Sequence, residues 1–158
     1  MDWTNGSEQI SKYFTVKEAA WLPKWNRLAN QIELSDDSKN ALINLFTTLD
    51  SVREFLGVPM IVHCSMRPLA YNALIGGAID SAHIARKLCI DDISYLIAAC
   101  DFHPDFGLSI KDSCTKGRKL IAPYLYKWNL RMENNHFQDW IHLDNRPVSP
   151  NGNRIFIP

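Results

Sequence analysis

The chain has 158 residues, 46% apolar and 22% charged, with 17 basic and 17 acidic side chains. That length fits one domain, spanning 1–158, with a sizeable core, and the balanced charge argues against a strong electrostatic footprint for nucleic acid. No apolar run reaches the length of a membrane span, and residues 1–13 are polar without a signal-peptide core, so synthesis in the cytoplasm without an export signal is expected.

In chain order, Phe14-Thr15-Val16-Lys17-Glu18 reads as a capping box, with Thr15 as cap, Glu18 reaching back and Phe14 as an apolar staple. That short helix should end before Pro23. Ser35-Asp36-Asp37-Ser38 offers caps for a long helix with Leu42, Leu45, Phe46, Leu49, Val52 and Leu56 on one face, stopped by Gly57 and Pro59. Met60-Ile61-Val62-His63-Cys64 is expected as a short buried strand, residues 66–80 as irregular chain with a Gly76-Gly77 turn, and residues 96–102 as a strand. A helix is expected over 109–126 from a Ser109 cap with Asp112 as its partner, then two strands, Leu130-Arg131-Met132-Glu133 and Trp140-Ile141-His142-Leu143. Irregular alternation with short late connections predicts an α+β fold, a small antiparallel sheet flanked by helices.

The cysteines Cys64, Cys89, Cys100 and Cys114 contain no C-x-x-C pair, so free thiols are expected, with Cys100 buried in its apolar run. The chemistry concentrates elsewhere. Asp139-Trp140-Ile141-His142 sets a carboxylate three residues before a histidine, and His83 follows Gly76-Gly77 and Ser81 far upstream. Taken singly, Asp139 reads as a turn residue, His142 as a core histidine, and His83 and Arg67 as polar loop residues. Together, separated histidines with interspersed aspartates are the raw material of a zinc site with three protein ligands and an open position. On a strand, residues three apart face opposite sides, so Asp139 must sit at a strand mouth or bend to share a site with His142.

Residues 61–83 resemble the zinc D-alanyl-D-alanine carboxypeptidase and L-alanyl-D-glutamate endopeptidase family, peptidoglycan peptidases with a Hedgehog-like fold. That family carries S-G-Y-R-S-P-x-x-N-x-x-V-G-G-x-x-x-S-x-H. Here Arg67, Asn72, Gly76, Gly77, Ser81 and His83 fall in register without a gap, and Trp140-Ile141-His142 resembles the family's W-V-H. The resemblance spans about residues 14–146. It implies Zn²⁺ held by His83, Asp101 and His142, Asp139 as general acid–base, Arg67 facing an oxyanion or a substrate carboxylate, and Ser81 as a supporting partner.

One departure matters. The family's second ligand lies about seven residues after the first histidine, where this chain has Ile90. Asp91 is near that spacing, but Ala99-Cys100-Asp101 fits the family's A-x-D, so Asp101 is the preferred ligand, with a lid or surface excursion inserted at about 85–95. His103 shares Asp101's strand face if the strand continues, as a neighbouring polar residue. The resemblance implies action on peptidoglycan stem peptides; small size without a signal peptide or a separate wall-binding domain suits a phage endolysin or virion-associated lytic enzyme, and the charge balance and short apolar runs predict no nucleic-acid partner and no membrane insertion. A non-catalytic wall-binding or virion module of the same fold, or an amidase for another small substrate, are the competing expectations. Neither the bond cut nor the oligomeric state is legible.

Overall fold

The computed structural model describes residues 1–135, 138–149 and 152–157. Its first helix, α1 (Val16–Ala20), carries the expected capping box, and Phe14 is fully buried edge-on against Phe46 at 5.2 Å between ring centroids. A small ribbon of β1 (Trp21–Leu22) and β2 (Arg27–Leu28) follows. Helix α2 (Asp36–Leu56) starts on the Ser35 side chain and ends at Gly57, whose φ of +68° is left-handed. Its buried stripe contains every residue that the helical period picks out in the sequence, extended by Ser38 and Ala41.

The central sheet contains β3 (Met60–Cys64), β6 (Ala99–Pro104), β7 (Arg131–Glu133), β8 (Ile141–Asp144) and β9 (Ile155–Phe156), in the order β3-β6-β8-β7-β9. Between β3 and β6 the chain forms a six-residue helix α3 (Leu69–Leu74) and a separate hairpin of β4 (Arg86–Ile90) and β5 (Ile93–Ile97). Helix α4 (Ile110–Ile121) begins at Ser109, which accepts from the Asp112 amide as expected. It packs on β6 and β8 so closely that a Cβ on Gly117 would lie 2.8 Å from Ile141 and Pro104. One sheet face, with Phe102, Ile141 and Leu143, is thus sealed by apolar packing; the opposite face carries Asp101, His142 and Asp144 toward an open cleft.

The α+β expectation holds, with several corrections. Strand β3 is not buried along its length: it is the sheet's edge, with Met60 inside and Ile61 and His63 exposed. Residues 66–80 are not wholly irregular, since α3 forms there. The strand expected over 96–102 is two strands broken at Ala98. The expected excursion at 85–95 is the β4–β5 hairpin, packed on α2, and none of its residues lines the cleft. The helix expected to reach 126 tightens into a 3-10 turn at Ala122–Tyr124, where Pro123 lacks the amide an α-helix needs. Strand β9, unanticipated, joins β7 in parallel, so the sheet is not purely antiparallel.

The Asn72 and Gly76-Gly77 motif has a structural cause. Buried Asn72 accepts the Gly77 amide on its backbone carbonyl at 2.8 Å and donates from Nδ2 to the Ala78 carbonyl at 2.8 Å. A Cβ on Gly77 would lie 2.2 Å from Asn72 Oδ1. This knot shapes the loop that delivers Ser81 and His83. Gly77→Ala is expected to destabilise the protein by about 1–3 kcal/mol through overpacking, read as a lowered urea midpoint.

Candidate metal centre

Three distant segments meet on one carboxylate. In the β6–β8 ladder Asp101 lies directly opposite His142, so both side chains emerge on the cleft face. His83 arrives from the loop after α3. Its carbonyl accepts the Arg67 amide at 2.7 Å, and its Nδ1 donates to the Ser65 carbonyl at 2.6 Å. Ser65 is itself anchored by its hydroxyl to the Ala99 carbonyl at 2.7 Å. With Nδ1 committed, His83 Nε2 faces Asp101 Oδ1 at 3.2 Å and His142 Nδ1 at 3.2 Å, while His142 Nδ1 lies 2.8 Å from the same Asp101 oxygen. One ligand atom from each residue lies within 4.8 Å of the others. Two imidazole nitrogens and a carboxylate oxygen are a donor set that suits zinc and similar borderline cations.

The surroundings hold these three in place. Asp144 shares the β8 face with His142, two residues on, and its Oδ2 lies 3.4 Å from His142 Nε2. Arg131 on β7 grips Asp144 through Nε at 2.9 Å and Nη2 at 2.8 Å. Arg131 in turn lies under the Phe156 ring of β9, 4.3 Å from its centroid. A carboxylate behind a ligating histidine fixes its ring and tautomer. Arg67 donates from Nη2 to Asp101 Oδ2 at 2.7 Å and from Nε to Cys64 Sγ at 3.2 Å, so it orients the carboxylate that faces the metal position. The cleft above encloses about 720 Å³, with Arg67, Ser81, His83, Asp101, Glu133, Trp140, His142 and Arg146 among its walls.

The electrostatics follow from this crowding. Burial alone would raise the Asp101 carboxyl, but the His83 and His142 imidazoles outweigh it and hold it well below the usual carboxylate range. Burial keeps His83 below its ordinary value, neutral and ready to ligate. Burial also opposes charge on His142, yet its contacts with Asp101 and Asp144 lift it to about 9. Asp144 is raised by burial and lowered more strongly by His142 and Arg131, to about 2.

The residues expected from sequence do not all converge. His83, Asp101, His142, Arg67 and Ser81 line one cleft. Asp91 does not compete with Asp101: it sits in the exposed two-residue turn of the β4–β5 hairpin, where Asp91 and Asp92 have φ of +48° and +63°. Asp139 occupies a bend just before β8, exposed and absent from the cleft wall, within electrostatic reach of Cys114 and Arg118 on α4. Buried Arg118 clamps that bend by donating to the carbonyls on either side of it, at Gln138 and Trp140. Asp144, Arg131 and Glu133 were not singled out for a role; the two-residue step from His142 to Asp144 was the available signal. His103 does share the Asp101 face, but it is hydrogen-bonded to His63 rather than aimed at the centre. All four cysteines are free, with Cys100 buried.

A model of the Peptidase M15 family matches residues 12–104, more than half of the chain. The chain belongs to the Peptidase M15 family. The matched segment contains Arg67, His83 and Asp101, while His142 lies beyond it and is joined to them by the sheet. Membership makes the chain a peptidase of a metal-dependent family, in keeping with the His-Asp-His group. No curated protein and no solved structure matches the chain.

Two outcomes test this electrostatic picture. His142 is raised from 6.5, so its stabilising charge is fully present below pH 6.5 and is lost as pH rises through about 9. Asp144 is lowered from 3.8, so its contribution is present above pH 3.8 and is lost as pH falls through about 2. Burial of neutral His83 costs stability as pH falls below 6.5, so metal-free protein should show its highest Tm near pH 6.5 and decline toward pH 9. Separately, Asp144→Asn should weaken divalent-metal affinity by about 10–100-fold, read by competition with a chromogenic chelator.

Proposed function

We propose that this chain is a zinc metallopeptidase that hydrolyses a peptide-stem bond of bacterial peptidoglycan, acting as a phage endolysin or virion-associated lytic enzyme. It would be made in the host cytoplasm and act on the wall. The observation that carries the reading is the convergence of His83, Asp101 and His142 on one point of an open cleft, within a Peptidase M15 chain. When bound there, Zn²⁺ supplies a Lewis acid that activates water and polarises a carbonyl near neutral pH.

The remaining steps belong to the protein. The cleft is rimmed by Arg67, Arg131 and Arg146. Asp101 and Asp144 engage Arg67 and Arg131, while Arg146 donates to the Asp80 carbonyl and stands 3.8 Å from its exposed carboxylate. Such cations suit stem peptides, which carry free carboxylates, and a guanidinium can take a carboxylate bidentately. Arg67 would also face the oxyanion of the tetrahedral intermediate. Asp139 would take the proton of the attacking water and return it to the leaving amine. Its bend adjoins Gln138 and Trp140, which both line the cleft, and catalytic contacts often tighten only with substrate bound. Glu133 is the rival for this role, because its side chain already lines the cleft wall.

Purified peptidoglycan incubated with the zinc-loaded chain should release new amino groups, with chelator abolishing the release and Zn²⁺ restoring it. Asp139→Asn should lower kcat by about 10²–10⁴-fold with zinc content unchanged, and Glu133→Gln by much less. The reverse ranking assigns the proton transfer to Glu133. A zinc-loaded chain that binds wall material and releases nothing would favour the non-catalytic module.

A further inference from the structure

The polar face of the sheet holds a second pair of imidazoles. His63 on β3 and His103 on β6 approach at 2.8 Å, Nε2 to Nδ1, with ring centroids 4.9 Å apart and planes inclined by 32°. The strand period places both side chains on one face, beside a backbone irregularity in β3. The ladder runs Ile61 opposite His103 and Val62 opposite Phe102, but then Cys64 opposite Asp101. One extra residue, His63, is therefore inserted on β3. His63 lies two residues after Ile61, the partner of His103, and so shares the face of His103 by the strand period. The bulge shifts the register so that Cys64, rather than His63, pairs with Asp101.

We propose that His63 and His103 form a second, two-ligand site for a borderline divalent transition cation, separate from the His83–Asp101–His142 centre. Metal–nitrogen bonds of about 2.0–2.1 Å put two cis imidazole nitrogens about 2.9–3.3 Å apart. The His63–His103 separation is close to that span, as is the 3.2 Å between His83 and His142. Two imidazoles select zinc, nickel and copper over magnesium or calcium, with copper held most tightly. The site lies at the sheet's edge strand, with His63 exposed and His103 half-buried, so a cation enters from solvent and water fills its other positions. Neighbouring donors are already engaged: Cys64 Sγ by Arg67, and the Asp101 oxygens by Arg67 and the two histidines of the other centre. The second site should therefore be the weaker of the two. A cation there clips the edge strand to β6, the strand that bears Asp101.

The test needs no substrate and stands apart from the peptidase reading. The full chain is titrated with Ni²⁺, and separately with Zn²⁺, by equilibrium dialysis with metal analysis. Two equivalents are expected at saturation, one tight and one weak. His63→Ala and His103→Gln should each remove the weak equivalent and keep the tight one, and His142→Ala should do the reverse. Cu²⁺ added to the His142→Ala chain should give an electron-paramagnetic spectrum with nitrogen couplings that His63→Ala abolishes. A single equivalent at saturation in the unaltered chain would mean that the pair is only hydrogen-bonded, and would overturn the proposal. A weak equivalent that survives both His63→Ala and His103→Gln would overturn it too. If His142→Ala fails to fold, the first two variants still decide.

Discussion

The buried carboxylate of Asp101 is the constraint around which the molecule is arranged. It is 6% exposed and stays ionised. Removing an unpaired carboxylate from water costs several kcal/mol even after relaxation, so such a group persists only among compensating charges. Here they come from three directions: Arg67 from the turn after β3, His83 from the loop after α3, and His142 from the neighbouring strand. The same convergence that makes burial tolerable creates a pocket of metal-ligating atoms. Stability and chemistry are therefore coupled at one side chain.

Each partner of Asp101 is in turn held from behind. Ser65 fixes His83, Asp144 stands behind His142, and Arg131 grips Asp144 from the next strand. These supports lie on different elements, so the centre requires the assembled sheet. The apolar face supplies that assembly, through the close approach of α4 at Gly117 and the fully buried Phe102, Ile141 and Leu143. A sheet sealed on one side and polar on the other divides the labour, with packing behind and charge in front. The bulge in β3 fits the same logic, since it brings Cys64 opposite Asp101, where its sulfur accepts from Arg67.

Local signals were legible because their partners are near in sequence. Thr15 with Glu18, Ser35 before α2 and Ser109 with Asp112 are contacts within a single turn, and Gly57 ends α2 through its own backbone angle. The motif from Arg67 to His83 was legible for a related reason. Asn72, Gly77 and Ala78 lock to one another within a few residues, and that lock fixes the spacing. The hairpin of β4 and β5 was missed because its Asp91-Asp92 turn has no glycine, although both residues adopt the positive φ that such turns require.

From the sequence alone came the helices and their caps, the α+β class, the family resemblance and the candidate ligands His83 and His142 with an aspartate still to be chosen. Those features depend on short-range hydrogen bonds, on period and on fixed spacing, all written along the chain. Only the tertiary structure decided between Asp101 and Asp91, by setting one in the ladder opposite His142 and the other in an exposed turn. It alone brought Asp144, Arg131 and Phe156 behind His142, turned β3 into an edge, and put Glu133 in the cleft wall with Asp139 on the bend beside it. Strand order and register join residues dozens of positions apart, and no spacing along the chain encodes which strands become neighbours.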